Sequence, residues 1–159
     1  MRGVAACILI LLLSSGWAEA RKPRCTLRAH VEANVNDGPV FSSQLRSPTT
    51  GRQVTIAKVP TISELDVVGF RAYPAANGTY GVLFQLNDHG KLALDTLSIE
   101  RRGSSLFVFA NGRFIDELQI DRRVSDGKLY IASGFTAADV ELMKKDWAPK
   151  AVRKRGADR

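Results

Sequence analysis

The stretch FANGRFIDELQIDRRVSDGKLYIASGFTAADV, residues 109–140, contains two tight-turn signals that divide it into three strands. Asn-Gly at 111–112 supplies two residues that tolerate positive φ, so it predicts a type I′ hairpin turn. The preceding run SLFVFA is apolar on both faces, as in a central strand. In the returning run RFIDELQI, Phe114 and Leu118 can face inward, but Asp116 shares their parity, so we expect a short or edge strand. A later Asp-Gly turns the chain into the strand KLYIAS.

The same stretch ends in a helix start. The Thr136 hydroxyl can cap a helix, and Asp139 stands at the third position, where its carboxylate reaches back to the cap. We expect this helix to stop before Pro149, which cannot continue it. The residues expected to face the core at helical spacing are Val140, Met143 and Trp147.

A second amphipathic helix is predicted to begin at Asn87 or Asp88, either of which can cap it, and to end before Gly103. The residues expected to face the sheet are Leu92, Ala93, Thr96, Leu97 and Ile99. The residues expected to face solvent are Lys91, Asp95, Ser98 and Arg102.

In the N-terminal half, TLRAHVEAN alternates between apolar and polar residues. This predicts a half-buried strand with Leu27 and Ala29 inward and His30 toward solvent. VTIAKVP and TYGVLFQL predict further strands, whereas SELDVVGFRAYPA fits neither period cleanly. The order of strands, helix, hairpin, strand and helix predicts an α+β sandwich, with two helices on one face of a mainly antiparallel sheet. Whether residues 26–60 join that sheet stays open.

Residues 1–20 have the three parts of a cleavable secretory signal: Arg2, an apolar run over residues 4–13, and small residues ending at Ala20. We expect cleavage near Ala20 and a secreted or periplasmic product. The apolar run is shorter than the roughly 20 residues that span a bilayer. Cys25 is then the single cysteine left, so no intramolecular disulfide is expected, and its thiol stays free or pairs with another chain.

The formal net charge of +7 lies at the two ends of the predicted mature chain. Residues 21–28 carry +4 and residues 144–159 carry +5, which leaves −2 for residues 29–143. A nucleic-acid-binding domain usually carries its basic patch on the folded face, so we expect no nucleic-acid partner. Residues 148–159 are predicted to form a basic disordered tail that makes at most weak contact with an anionic surface, without stable membrane insertion.

No residue pattern indicates a catalytic, cofactor or metal site. His30 and His89 have no ligand or catalytic motif around them, and the acidic pairs 116–117 and 121/126 are typical of solvated strands and turns. We therefore predict no catalytic residue, no cofactor and no metal. The alternative is a small secreted hydrolase that uses His89 and the acidic turn residues. That activity would require a deep pocket lined by His89 and at least two acids.

Residues 86–142 resemble the first periplasmic head subdomain of SecD, the protein-export membrane subunit. Gly90 and Gly103 stand at the family's helix-start and helix-end glycines, and Asn-Gly at 111–112 stands at its usual Asp-Gly turn. The segment GFTAADV matches the family's closing pattern and the helix that follows it. With an upstream extension, the resemblance covers residues 61–147.

This resemblance implies a ferredoxin-like α+β domain over residues 61–147, which contacts polypeptides outside the membrane and follows N-terminal strands and a loop at 21–60. No counterpart of SecD's membrane helices and their proton-using charged groups is found in this sequence, so the resemblance implies no export motor. We therefore predict an exported, non-enzymatic protein that binds an envelope or exported polypeptide.

The predicted interaction surface is the exposed edge of the return strand, at Arg113, Ile115, Glu117 and Gln119. An added strand from a partner would use such an edge, whereas the charges on it would equally serve to prevent pairing. A third hypothesis is adhesion of the basic tail to anionic envelope polymers. This adhesion would be salt-sensitive and would vanish on deletion of residues 148–159.

Overall fold

The structure is a computed structural model that describes residues 25–147. The predicted leader, residues 1–20, and the predicted tail, residues 148–159, lie outside the described residues. The strands are β1 (Leu27–Val31), β2 (Ser42–Arg46), β3 (Gln53–Ala57), β4 (Ile62–Ser63), β5 (Val67–Pro74), β6 (Tyr80–Leu86), β7 (Ser105–Ala110), β8 (Arg113–Gln119) and β9 (Lys128–Phe135). The helices are α1 (Gly38–Phe41), α2 (Asp88–Glu100) and α3 (Ala137–Asp146), with 3₁₀ turns at Val35–Asp37 and Glu64–Asp66.

The strands form three sheets, and every strand pair in the described part of the chain is antiparallel. The sheets have the orders β4-β1-β7-β8, β5-β6-β9 and β2-β3. Together with the helices they confirm the predicted α+β class with mainly antiparallel pairing. The division into separate sheets did not follow from the strand patterns, because a period of two does not say which strands are neighbours.

The N-terminal strand β1 answers the question that the sequence left open. It lies between β4 and β7, with Leu27 opposite Ala110 and Val31 opposite Leu106. Its inward residues Leu27 and Ala29 are fully buried, as the alternation predicted. The four-stranded sheet therefore depends on a segment that precedes the rest of that sheet by about 30 residues or more.

One core is shared by the four-stranded sheet, the three-stranded sheet and both long helices. Its members include Leu27, Val82, Phe84, Leu94, Leu97, Leu106, Val108, Ile131, Phe135, Met143 and Trp147. The ring of Phe84 makes edge-to-face contacts with Phe135 and Trp147, at centroid distances of 5.9 and 6.0 Å. Because such aromatic pairs add to the energy of area burial, this cluster is a strong link between β6, β9 and α3.

The other face of β1 is covered by β3, so the predicted solvent exposure of His30 is wrong. His30 is half-buried, with Nδ1 2.8 Å from the carbonyl oxygen of Ala57 and its ring edge-on to Phe109. The hairpin of β2 and β3 accounts for this, since Glu32 bridges to Ile56 beside it. A polar residue on an alternating strand faces solvent only where nothing packs over that face.

Helix α2 has the predicted cap and length but turns a different face inward. Asn87 accepts a hydrogen bond from the Gly90 amide, and the helix ends at Glu100. The buried residues are Gly90, Leu94, Leu97 and Ser98, whereas Leu92 and Ile99 are 66% and 56% exposed. A Cβ on Gly90 would lie 2.8 Å from the Cβ of Asp66, so the helix approaches its neighbour at this glycine. Close packing at Gly90 therefore favours a buried face of α2 that differs from the predicted one.

The β7–β8 hairpin and helix α3 agree with the local signals in the sequence. Asn111 and Gly112 have φ of 51° and 75°, as a type I′ turn requires. Thr136 and Asp139 form the reciprocal capping box, and the three residues expected to face the core are buried: Val140, Met143 and Trp147.

A bulge in β8 moves Phe114 from the face on which it was expected. Phe114 pairs with Phe109, but Asp116 pairs with Val108, so the residue between them is extra. Phe114 therefore packs edge-on against Phe109, at a centroid distance of 5.8 Å, on the sheet face away from Asp116 and Leu118.

Within the described residues, no helix is long and apolar enough to cross a membrane.

Candidate interaction surfaces

The free edge of β8 is the first candidate surface. β8 is the outermost strand of its sheet and, in the described part of the chain, it pairs through backbone hydrogen bonds with β7 alone. The Ile120 amide donates to Ser104 on the β7 side, so alternation directs the Glu117 and Gln119 amides toward the free edge. The Glu117 amide already donates to Oδ1 of Asp116 at 2.9 Å. The Asp116 side chain thus occupies the Glu117 amide, one of the backbone donors that an added strand would need.

The Glu117 side chain is also engaged within the chain. Its carboxylate accepts a hydrogen bond from the Ser47 hydroxyl at 2.6 Å and another from the Ser105 hydroxyl at 3.1 Å. Ser47 is 1% exposed and begins the turn between β2 and β3. Glu117 therefore links that turn to the edge of the four-stranded sheet, and a partner could reach its carboxylate only by competing with these two serines.

Arg113, at the start of β8, points to a buried carboxylate on α3. Asp139 accepts hydrogen bonds from the Arg113 guanidinium at 2.5 Å, from Asn111 Nδ2 at 2.8 Å and from the Thr136 amide and hydroxyl. Burial alone would raise the pKa of Asp139, but the bonds from Thr136 and Asn111 and the Arg113 charge together hold that pKa below its ordinary value. Asp139 thus joins the β7–β8 turn to the first turn of α3.

The two remaining predicted edge residues differ in exposure. Ile115 is half-buried and packs against the core, and its carbonyl oxygen would lie 3.0 Å from a Cβ on Gly134 of β9. Gln119 is exposed. Of the four predicted edge residues, all within the described part of the chain, Gln119 alone has an exposed side chain that makes no hydrogen bond or ion pair.

Asp116 lies half-buried on the core side of β8. Burial raises the pKa of its carboxyl, the Glu117 amide opposes this, and the neighbouring Glu117 charge adds to the rise. We expect Asp116→Asn to stabilise the domain at pH 7 by about 0.5 kcal/mol, a small value because the group remains half-exposed. A raised folded pKa means that ionisation costs stability as pH rises. The gain over wild type, measured by urea unfolding, should therefore vanish as pH falls toward 4.

The first described residues meet the end of α3. The Cys25 amide donates to Asp146 Oδ2 at 2.6 Å, and Thr26 exchanges hydrogen bonds with Asn111. The Cys25 side chain is fully buried, and this burial raises the pKa of its thiol to about 11. Within the described residues Cys25 is a free thiol, and its burial does not favour a disulfide with another chain.

Burial of Cys25 predicts slow chemical modification. In a chain that starts at Arg21, Cys25 is the single thiol, and we expect it to react with a disulfide reagent roughly 100-fold more slowly in buffer than in urea. The variant Arg102→Cys, with a new thiol at an exposed position, should release one fast equivalent under the same native conditions. Equal rates for Cys25 in buffer and in urea would contradict its burial.

The histidine and the acids named for the hydrolase alternative do not share a site. His89 has a side chain 78% exposed, and its Nδ1 lies 2.7 Å from Asp66, which itself caps the 3₁₀ turn. His89 lines a shallow cavity of about 330 Å³, while Asp121 and Asp126 line a different one of about 610 Å³. No cluster of three or more metal-ligating side chains occurs in residues 25–147. The pocket that a hydrolase would require is not formed by these residues.

A group of exposed apolar side chains, here called the apolar patch, was not predicted from the sequence. Its members are Val35, Val40, Phe41 and Val59, each 72–78% exposed. The Lys58 amide donates to the Phe41 carbonyl at 2.9 Å, which brings the segment after β3 beside α1. The turn-rich composition of residues 35–51 indicated a loop, so no exposed apolar surface was predicted there. Exposed apolar side chains that lie near one another commonly mark an interaction site, and the Lys58–Phe41 hydrogen bond brings Val59 near Phe41.

No protein-family model and no curated protein matches this sequence. Two solved structures share its architecture. A structure of SecDF, a membrane component that enhances protein export, aligns with a TM-score of 0.54 at 14% identity, over 78% of this chain. A crystal structure of SecDF in a super-membrane-facing form aligns with a TM-score of 0.53 at 13% identity, also over 78%.

The alignments cover 63% of the first SecDF chain and 19% of the second. At this identity, the likeness is one of fold. It agrees with the resemblance to the SecD head that the sequence indicated, and it extends through most of the described residues. The chain therefore has a SecD-like fold.

Proposed function

We propose that this chain is an exported, non-enzymatic protein whose SecD-like domain binds another polypeptide in the cell envelope. The observation that carries the proposal is the shared fold with SecDF, a component that enhances protein export. The predicted leader supplies the route out of the cytoplasm, with cleavage near Ala20. The dispersed positions of His89 and the acidic residues give no support to hydrolysis.

Two surfaces are available for the polypeptide. The β8 edge offers the Gln119 amide, but Asp116 and the serine contacts of Glu117 already occupy part of it. The apolar patch is more open, and its side chains would lose contact with water on binding, which favours association with an unfolded apolar segment. We therefore place the polypeptide on the apolar patch and keep the β8 edge as the second surface.

The test measures binding of a reduced, unfolded secretory polypeptide by fluorescence anisotropy. The double variant Val40→Ser, Phe41→Ser should weaken binding at least tenfold, because each removed apolar contact is worth roughly 1.5 kcal/mol or more. The matched control is Leu92→Ser, Ile99→Ser, which removes two exposed apolar side chains from α2. The control should change binding less than twofold.

A variant of the β8 edge separates the two surfaces. Gln119→Pro removes an amide that faces the free edge and should leave binding within twofold if the apolar patch is used. A large loss with Gln119→Pro and none with the patch variant would move the site to β8. Absence of any binding by the wild-type chain would overturn the proposed function.

A further inference from the structure

The strand β5 has one edge that faces no other strand. β5 is the outermost strand of the three-stranded sheet, and in the described part of the chain it pairs with β6 alone. At the turn between the two strands, the Ala75 amide donates to the Thr79 carbonyl at 2.9 Å. Hydrogen-bonded positions alternate along an antiparallel pair, so the odd-numbered residues after the bulge bond to β6. The amides and carbonyls of Phe70 and Ala72 therefore face the free edge.

This edge carries less protection than the free edge of β8. On β8, the Asp116 carboxylate already accepts a hydrogen bond from the Glu117 amide. β5 has the sequence VVGFRAYP, in which Arg71 is the single charged residue and Pro74 stands at the last position. Natural edge strands are usually blocked by several charges, by an inward charge or by a central proline. The middle of β5 has only Arg71.

Burial along β5 agrees with an open edge. Phe70 and Ala72 lie opposite Phe84 and Val82 of β6 and face the core with them. Phe84 and Val82 are fully buried, whereas Phe70 and Ala72 are only half-buried. Val68, near the start of the strand, is 50% exposed. Solvent thus reaches the apolar side chains of β5 from the side on which a further strand would lie.

We propose that two copies of this chain associate through β5, edge to edge and antiparallel, about a twofold axis at Phe70. In this arrangement the Phe70 amide and carbonyl of each copy bond to those of the other copy, as in any hydrogen-bonded pair of an antiparallel sheet. The two three-stranded sheets then form one continuous sheet in the order β9-β6-β5-β5-β6-β9. Each copy uses its own β5 edge in the contact, so association closes at a dimer.

The residues on either side of Phe70 are complementary to each other. Gly69 and Arg71 lie on the outer face of the sheet, because Phe70 between them faces the core. With the axis at Phe70, Gly69 of each copy lies opposite Arg71 of the other copy, in a non-hydrogen-bonded pair with Cα atoms about 4.5 Å apart. A Cβ on Gly69 would have no atom within 4 Å, so the Arg71 side chain finds open space there. Symmetry repeats this contact on the other side of the axis.

Other axis positions are less favourable. An axis at Arg71 would place the two Arg71 side chains directly opposite one another, and like charges in such pairs destabilise a sheet. An axis at Ala72 would place Phe70 opposite Pro74, which has no amide to donate. The partner is a second copy because the same short segment supplies both the glycine and the arginine that fit together.

This inference does not depend on the polypeptide binding proposed above, since it uses neither the apolar patch nor the β8 edge. The first experiment measures the dimerisation constant of the chain 21–159 by sedimentation velocity. Gly69→Glu and Gly69→Lys have the same free space within one copy, so a difference between them arises at the second copy. Because Arg71 lies opposite and each pair occurs twice, Gly69→Glu should strengthen the dimer at least threefold and Gly69→Lys should weaken it at least threefold.

Two results of this experiment would overturn the proposal. One is an equal dimerisation constant for the two Gly69 variants, which would show that Arg71 of a second copy does not lie opposite. The other is a monomer at every protein concentration up to about 0.5 mM, since a weaker dimer would have negligible binding energy.

A backbone variant separates edge pairing from association by another surface. Ala72→Pro removes an amide of the free edge without removing a bond to β6, and its ring stands where the second strand would lie. This variant should weaken the dimer at least tenfold. The matched control Gln119→Pro makes the same change at the free edge of β8 and should change the constant less than twofold. Equal losses in both variants would overturn the proposal, and so would a wild-type monomer that binds an extended polypeptide through Ala72.

Disulfide formation locates the twofold axis. A mixture of Gly69→Cys and Arg71→Cys chains should crosslink in oxidised glutathione at least fivefold faster than either variant alone, because only the mixture places two thiols directly opposite. In either variant alone the new thiols are diagonal neighbours, with Cα atoms roughly 7–8 Å apart, beyond the usual reach of a disulfide. Buried Cys25 should not react. Faster crosslinking of Arg71→Cys with itself would place the axis at Arg71 and overturn the proposed pairing.

Discussion

Gly81→Ala is expected to destabilise the domain by about 3 kcal/mol, the upper end of what overpacking of one methyl group usually costs. Gly81 lies on the central strand β6, at the bulge between Tyr80 and Val82. A Cβ there would stand 2.5 Å from a ring carbon of Tyr73 and even closer to the carbonyl oxygen of Ala132. Backbone atoms cannot move away as a flexible side chain can, so the three-stranded sheet would have to open locally.

The neighbouring strand β5 offers a matched control for this substitution. At Gly69 an added Cβ would have no atom within 4 Å, and φ is ordinary there. Gly69→Ala should therefore change stability by less than about 1 kcal/mol, with a small gain from the stiffer unfolded chain. Urea unfolding of the chain 21–159, followed by fluorescence of its single tryptophan Trp147, measures both variants. Equal midpoints for the two variants would contradict the close approach at Gly81.

Asp139→Ala is expected to cost about 3 kcal/mol, because it removes a helix cap and leaves the Arg113 guanidinium without its carboxylate. Thr136→Ala removes only half of the capping box and should cost about 1 kcal/mol. The difference between these two variants measures the contacts that Asp139 makes with Asn111, with Arg113 and with the backbone amide of residue 136. If the two losses are equal, those contacts contribute nothing to stability.

Acid unfolding provides a second measurement on Asp139. The pKa of Asp139 in the folded state lies below its ordinary value of about 4. Its carboxylate therefore stabilises the fold above about pH 4, and this stabilisation is lost as pH falls through the folded pKa. Asp139→Asn keeps an acceptor but no titrating group, so the free-energy gap between wild type and variant should shrink below pH 4. A gap that stays constant from pH 7 to pH 2 would show that the charge of Asp139 has no role.

Signals that involve neighbouring residues predicted the structure well. The β7–β8 turn needs only that Asn111 and Gly112 accept positive φ, and the start of α3 needs only Thr136 and Asp139 three residues apart. The apolar run SLFVFA identified β7 as an inner strand, because burial on both faces leaves no polar alternation. These features hold regardless of what packs around them.

The inward face of α2 shows where local pattern was insufficient. Leu92 and Ile99 satisfy helical spacing as well as Leu94 does, so the pattern alone admits more than one buried face. The contact of Gly90 with Asp66 selects one of them, and the Ser98 hydroxyl can be buried there because it accepts a hydrogen bond from the Val124 amide at 2.9 Å. Such a polar partner is invisible to a hydrophobic pattern.

For the candidate surfaces, too, one part was predicted from the sequence and another part was determined by tertiary packing. From the parity of Asp116, the sequence predicted a short or edge strand, with Arg113, Ile115, Glu117 and Gln119 along its edge. Tertiary packing determined that Ser47 reaches Glu117 across 70 positions of sequence. It also formed the apolar patch, since neither end of the β2–β3 hairpin carries a pattern that predicts exposure.

Turns, caps and strand periods follow from the sequence because each is decided by residues within four positions of one another. The placement of β1 inside the four-stranded sheet, the burial of Cys25 and its contact with Asp146 depend on partners up to 121 positions apart. Those pairings are selected by the free energy of a shared core, in which every strand competes for the same neighbours. These pairings are therefore determined by the tertiary structure of the whole domain.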